Sequence, residues 1–192
     1  MGEVIESNTL LHRLDLEAGA QRDPAYLKLN PSGVVPTLIV EGSACSETAA
    51  LALLLGERHP EAKLAPAPGS PLRPAYLQWM AYLANTLQPA FRLWFYPADA
   101  PEVAAEELKA ATRRRIEAAW ARLDAHLAAA GPHLLGAELS IADLYATMLM
   151  RWSRNMPRPA TEWPRLAGLA ARVKMRPTWK RLYEIEGLTE WA

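Results

Sequence analysis

Asn30-Pro31-Ser32-Gly33-Val34-Val35-Pro36, followed after an apolar run by Ser46-Glu47-Thr48, is the stretch that decides the fold. Pro36 directly precedes Thr37-Leu38-Ile39-Val40, so a loop ends in a proline that delivers a strand. A trans proline at a strand start is the ordinary arrangement. A cis Val35-Pro36 bond is the alternative, and it turns the N–H and C=O of Val35 away from the ladder, free to pair with an extended peptide. Glu41-Gly42 supplies a turn and Ser43-Ala44-Cys45 a second short strand. Ser46-Glu47-Thr48 then opens a helical run over 49–55 that stops at Gly56-Glu57-Arg58-His59-Pro60, so the segment reads as a strand hairpin feeding a helix.

The start of such a helix carries free N–H groups and a partial positive charge. It accepts a carboxylate, and the Thr48 hydroxyl adds a hydrogen bond. Glu47, one residue earlier, offers an oxygen to an ammonium. An amino-acid head group has both charges on one carbon and matches this pair. The alternative is local: Ser46 or Thr48 as an N-cap, with Glu47 favouring the helix dipole.

Taken together, the two pieces resemble the glutathione site of the glutathione transferase family. There a loop of the form N-P-x-G-x-V-P carries a cis proline, and an acidic residue followed by Ser or Thr holds the γ-glutamyl group. Asn30, Pro31, Gly33, Val35 and Pro36 fit the first motif, and Glu47 and Thr48 fit the second. The resemblance continues through Leu135-Gly136, Ser140-Ile141-Ala142-Asp143, Trp163-Pro164, Arg176-Pro177 and Glu186-Gly187-Leu188, closest to the bacterial beta-class branch. It implies an α/β, thioredoxin-like N-terminal domain, truncated at its start, and an all-helical C-terminal domain. The expected boundaries are 1–64, a linker over 65–72, and 73–192.

Composition agrees with a small-molecule protein. The chain has 192 residues, 51% of them hydrophobic, which is ample for a packed core. Its 21 basic and 21 acidic residues leave no net charge to favour nucleic acid or an anionic membrane. The longest apolar run, over 49–55, is far short of the roughly 20 residues of a membrane span. The start shows no leader pattern, and the single cysteine suits a reducing cytoplasm. His12, His59, His126 and His133 have no paired spacing, so no metal is expected.

The linker Ala65-Pro66-Ala67-Pro68-Gly69-Ser70-Pro71 precludes regular structure. All seven tryptophans lie beyond it. A helix is predicted from Pro71 to Tyr96, with Tyr76, Met80, Leu83, Leu87 and Phe91 on one face and a kink at Pro89. A second is predicted from Pro101 to Ala130 on Leu108, Thr112, Ile116, Trp120, Leu123 and Leu127, ended by Gly131-Pro132. Arg113-Arg114-Arg115, with Glu106, Glu107 and Glu117 nearby, reads as a salt-bridged solvated face rather than a phosphate site. Ser140 and Asp143 form a capping box whose role is folding.

In the family, the turn after the first strand carries the Tyr, Ser or Cys that hydrogen-bonds the glutathione sulfur. The first recognisable strand here is Leu10 to Leu16, the family's second, so that position is expected upstream of Met1 and the catalytic residue is unassigned. Ser7, Asn8 and Thr9 are the remaining candidates, with a turn as their other role. Cys45 reads as a core residue. The beta-class branch has a histidine near Gln88, where a neutral amide can donate a hydrogen bond to the tripeptide but supplies no cation.

The resemblance implies conjugation, with glutathione as co-substrate and no metal. The electrophile pocket is expected from Gln88, Phe91, Arg92, Trp94, Phe95 and Tyr96, facing Arg151 or Trp152; Phe91 and Phe95 as core is the alternative. A homodimer is expected by the same analogy. Two further readings stand beside the transferase: a glutathione-binding or peroxide-reducing relative, and a catalytically impaired dimeric interaction protein of the same fold.

Overall fold

A computed structural model describes residues 11–97 and 102–191, and its chain divides into two compact units, Met1–Ala62 and Lys63–Ala192. In the first unit α1 spans Pro24–Leu27, β1 Thr37–Val40, β2 Ser43–Ser46 and α2 Thr48–Arg58. β1 and β2 pair antiparallel, Thr37 opposite Ser46 and Val40 opposite Ser43. Glu41 and Gly42 join them with φ of 52° and 80°. Positive φ at both central residues is what a two-residue hairpin needs to match strand twist, and glycine meets that need without a Cβ clash. Arg58 at the end of α2 reaches back to Glu41 at 2.7 Å.

The expected strand over 10–16 does not form in its described part. Leu11 and Leu16 are exposed, and the backbone turns instead. The Asp15 carboxylate accepts the N–H groups of Glu17 and Ala18 at 3.0 Å each, and Asp15 O accepts from Ala20 N. An Asp side chain that captures the amides following it competes with a ladder, and here it wins. Among the described residues the sheet has two strands. Ser7, Asn8 and Thr9 lie outside the described residues.

The second unit is helical. It comprises α3 (Arg73–Tyr82), a π-helical segment Leu83–Leu87, α4 (Gln88–Phe95), α5 (Glu102–Ala130), α6 (Ile141–Trp152), α7 (Pro164–Lys174) and α8 (Pro177–Glu186). The helix predicted over 71–96 therefore runs in three parts, with a widened turn just ahead of Pro89. Gln88 N donates to Leu83 O, five residues back, so the ladder skips a register just before the residue that has no N–H to give. Tyr76, Met80, Leu83, Leu87 and Phe91 all face inward and are fully buried. On α5, Ile116, Trp120, Leu123 and Leu127 are buried as their spacing foretold, with Thr112 under the same face and Leu108 half-buried, and Phe91 meets Trp120 at 6.1 Å. Arg113 pairs with Glu117 at 2.7 Å, and Arg114 and Arg115 are exposed, so the triplet is a solvated face.

The start of α6 organises the middle of this unit. Ser140 and Asp143 form the capping box, with Ser140 N and Oγ donating to Asp143 Oδ2 at 2.8 Å each. Asp143 Oδ1 also accepts Leu134 N at 2.7 Å, a link 9 residues long that local spacing did not announce. Ile141 N donates to Leu64 O and Arg73 Nη1 to Pro66 O, so the proline-rich segment is tied down by the helices around it.

Candidate functional site

Loop 30–36 is held by side chains rather than by a ladder. Asn30 is buried, and its amide nitrogen donates to Val34 O at 2.8 Å and to Thr37 Oγ1 at 3.2 Å. Its oxygen accepts Ser32 N at 3.1 Å. Gly33 has φ 59°, and a Cβ there would stand 2.8 Å from Arg22 Nη1 and 3.1 Å from Gln21 O. Only glycine fits that corner. Tyr26, on α1, donates to Val34 O at 2.6 Å and shares a hydrogen bond with Thr37 Oγ1 at 2.8 Å. The sequence reading passed over it. The available signal was its place on the short helix begun by Asp23-Pro24, four residues before Asn30.

The Val35-Pro36 bond is cis. Val35 is 44% exposed, and among the described residues no hydrogen bond occupies its N–H or its C=O. The strand register sets what lies beside it. Because Thr37 pairs with Ser46, the residues just outside the pair, Pro36 and Glu47, leave the hairpin at the same end.

Glu47 is the N-cap of α2, with φ 74° and ψ 110°, and its side chain caps nothing. Neither Ser46 nor Thr48 is the N-cap. A non-glycine residue held at positive φ costs roughly 1–3 kcal/mol, and such residues concentrate where a ligand is bound. The exposed carboxylate of Glu47 therefore sits on a constrained backbone beside the first N–H groups of α2 and the half-buried Thr48. The arrangement offers an extended-backbone partner at Val35, an anion at Glu47 and a positive dipole end at Thr48. These are complementary to a peptide that bears an amino-acid head group.

Cys45, on β2, is half-buried, its Sγ 3.7 Å from Ser46 O. It is not fully in the core, and its sulfur is turned to its own strand. Among the described residues no three His, Cys, Asp or Glu side chains group as metal ligands.

In the second unit, Gln88, Arg92 and Phe95 follow one another at helical spacing along α4. Gln88 Oε1 accepts a hydrogen bond from Tyr145 OH on α6. Phe95 is 47% exposed and meets Trp152 edge-on at 6.4 Å. Arg92 lies over the Tyr96 ring at 4.2 Å, and Tyr96 is 59% exposed. Phe91 is different: it is 0% exposed, wedged against Phe95, Trp120 and Trp152 at 5.8–6.1 Å. As the α4 position that faces α5 and α6, it is a core ring that supports the exposed aromatics and does not itself reach a ligand. Trp94 turns towards Lys109 of α5 at 5.1 Å, and Arg151 Nε bonds Tyr183 OH on α8 at 3.2 Å. Of the two α6 candidates, Trp152 is the one brought to the α4 aromatics.

The family described as "Glutathione S-transferase, C-terminal domain" matches residues 84–183 of this chain. The chain is 26% identical over 165 residues to the glutathione S-transferase GstA of Escherichia coli O157:H7, covering 85% of this chain and 79% of that protein. It is 26% identical over 142 residues to the glutathione S-transferase GST-4.5 of Xanthomonas campestris pv. campestris, covering 73% and 69%. Among solved structures, a sphingomonad glutathione S-transferase complexed with glutathione is 31% identical, with TM-score 0.76. The ternary complex of BphK, a bacterial enzyme of this kind, is 32% identical, with TM-score 0.77; both comparisons cover 85% of this chain and 79% of the other. Sequence, helical unit and thioredoxin-like hairpin thus agree, and the chain belongs to the glutathione S-transferase family.

Proposed function

We propose that this chain binds glutathione on its first unit and conjugates it to a small apolar electrophile. The observation that carries the reading is the hairpin register, which brings the unpaired backbone of Val35, next to cis-Pro36, to the same end as Glu47 and the start of α2. In this reading the cysteinyl backbone of glutathione pairs with Val35. The γ-glutamyl ammonium meets Glu47, and its carboxylate meets Thr48 and the first N–H groups of α2. Relatives whose structures hold glutathione support the ligand class.

The chemistry is substitution. The glutathione thiol gives its proton to solvent, and the thiolate sulfur forms a bond to an electron-poor carbon. With a chlorinated nitroaromatic, the carbon–chlorine bond breaks and chloride leaves with the electron pair. Thiolate is the nucleophile, so the rate follows how far the thiol pKa is lowered in the bound state. Exposed Phe95, Tyr96 and Arg92 with half-buried Trp152 supply an aromatic, cationic surface suited to a flat acceptor with partial negative charge. We assign the work to a homodimer in a reducing, cytoplasmic compartment, as is common in this family.

Two measurements test this. The protein is passed over immobilised glutathione, and conjugation of glutathione to 1-chloro-2,4-dinitrobenzene is followed by absorbance. Retention with glutathione-dependent turnover is expected. Retention without turnover leaves a binding protein, and no retention with no turnover overturns the reading.

A further inference from the structure

Arg92 stands exposed in the last turn of α4, its guanidinium over the Tyr96 ring at 4.2 Å. The two are four residues apart, the spacing at which helix neighbours touch. A cation in a last turn ordinarily serves the helix end, by a hydrogen bond to a free carbonyl or by attraction to the negative end of the dipole. Among the described residues, however, no carbonyl and no carboxylate takes the Arg92 side chain. Its own C=O is already occupied by Tyr96 N at 2.9 Å. The N–H donors of a guanidinium all lie in its plane, so a ring on one face restrains the group without using any of them.

The neighbours along the helix are aromatic and open. Phe95, three residues on, is exposed and meets half-buried Trp152 edge-on at 6.4 Å. A flat ligand that covers these rings removes apolar surface from water. Helix neighbours three residues apart stand about 5–6 Å from each other at Cβ, so a benzene ring laid on Phe95 and Trp152 brings one of its substituents to Arg92. A carboxylate gains most at that place. It accepts two parallel N–H···O bonds from the planar fork, whereas an amide or nitro oxygen carries only part of a charge.

We propose that Arg92 selects aromatic electrophiles that bear a carboxylate, with the ring on Phe95 and Trp152 and the carboxylate on the guanidinium. This rests on the conjugation reading above and names the substrate class within it. The thiolate sulfur bonds to the ring carbon that holds the halogen, the carbon–halogen bond breaks, and the halide leaves with the electron pair. The carboxylate is carried unchanged into the product.

The test compares 4-chloro-3-nitrobenzoate with 4-chloro-3-nitrobenzamide in the full chain. The two share shape and leaving group and differ in charge. Wild type should show a KM about 5- to 20-fold lower for the benzoate, the size of one charge-assisted bidentate contact at an exposed site. Raising sodium chloride from about 20 to about 500 mM should shrink that gap several-fold, because the pair is open to screening. In Arg92→Gln the benzoate-to-benzamide ratio of kcat/KM should fall about tenfold. Arg92→Lys keeps the charge but loses the fork and the stack, and should fall about threefold.

Thermal unfolding is followed alongside and should change little, since Arg92 is exposed and holds no other element. An equal KM for the two probes in wild type, a preference that survives in Arg92→Gln, or a preference indifferent to salt would each overturn the proposal. Turnover of 1-chloro-2,4-dinitrobenzene without any preference for the benzoate removes this proposal and leaves the conjugation reading standing. A wild-type chain that neither binds nor conjugates glutathione overturns both.

Discussion

Asp143→Ala removes the acceptor for three donors at once: Leu134 N at 2.7 Å, and Ser140 N and Oγ at 2.8 Å. Asp143, Leu134 and Ser140 are 0%, 1% and 3% exposed, so water does not replace what is lost. Two backbone N–H groups are orphaned, at about 1–3 kcal/mol each, and the α6 cap is lost. Relief of the buried carboxylate offsets part of this, and about 3–5 kcal/mol is the expected cost. Against a total stability of about 5–15 kcal/mol, that is a large fraction. Urea unfolding followed by tryptophan fluorescence reads it directly, because every tryptophan lies in the helical unit. With an m-value of about 2 kcal/mol/M, the midpoint should fall by about 2 M. Asp143→Asn, which keeps the volume and one acceptor but turns N–H2 towards a donor, should fall about half as far. An alanine shift below about 0.5 M at unchanged m would refute the assignment of Asp143 as the link between the 132–136 turn and α6.

Burial pushes the Asp143 carboxyl above its ordinary value, opposed by the donors of Leu134 and Ser140 and by His133. A raised folded pKa favours the protonated form in the native state. That contribution is complete below the ordinary value of about 3.9 and lost as pH rises through the folded one. The stability advantage of wild type over Asp143→Asn should therefore narrow from pH 4 to 7 in urea midpoints, and a widening gap would contradict the sign. Gly131→Ala places a Cβ 2.3 Å from Leu127 O, which is backbone and cannot step aside; thermal unfolding should show a loss of about 2 kcal/mol or more. Glu47→Gly relieves the residue at φ 74° while deleting the carboxylate, so calorimetry should find stability kept or raised and glutathione affinity reduced about tenfold. Tyr26→Phe leaves Val34 O and Thr37 Oγ1 held by the Asn30 amide alone, and should raise the glutathione KM several-fold with a stability cost of about 1 kcal/mol; an unchanged KM would mean that the loop keeps its form without it.

The elements that local chemistry specifies were legible in advance. The hairpin of Thr37–Val40 and Ser43–Ser46 follows from two β-prone runs separated by a Glu-Gly turn, and α5 from a stripe of apolar residues at helical spacing. The capping box at Ser140 was readable because both partners lie within one turn. The failures have separate causes. The 10–16 segment was expected as a strand from the family resemblance, but Asp15 offers its following amides a nearer acceptor. Pro89 demanded an interruption, yet nothing local distinguishes a kink from a π-helical segment five residues long. Phe91 and Phe95 are equally aromatic and one turn apart, and only the positions of Trp120 and Trp152 make one a core ring and the other a surface.

By itself, the sequence determined the loop motif, the hairpin and the helices, because these depend on residue types within a few positions of one another. The tertiary structure decided what those pieces face. The register that puts Pro36 beside Glu47, Tyr26 beneath the loop and Tyr145 against Gln88, 57 residues away, each depends on packing between elements distant in the chain. Such contacts leave no periodic trace in the residues that make them, which is why the loop and helix start proposed to bind glutathione were visible from the start and their supporting side chains were not.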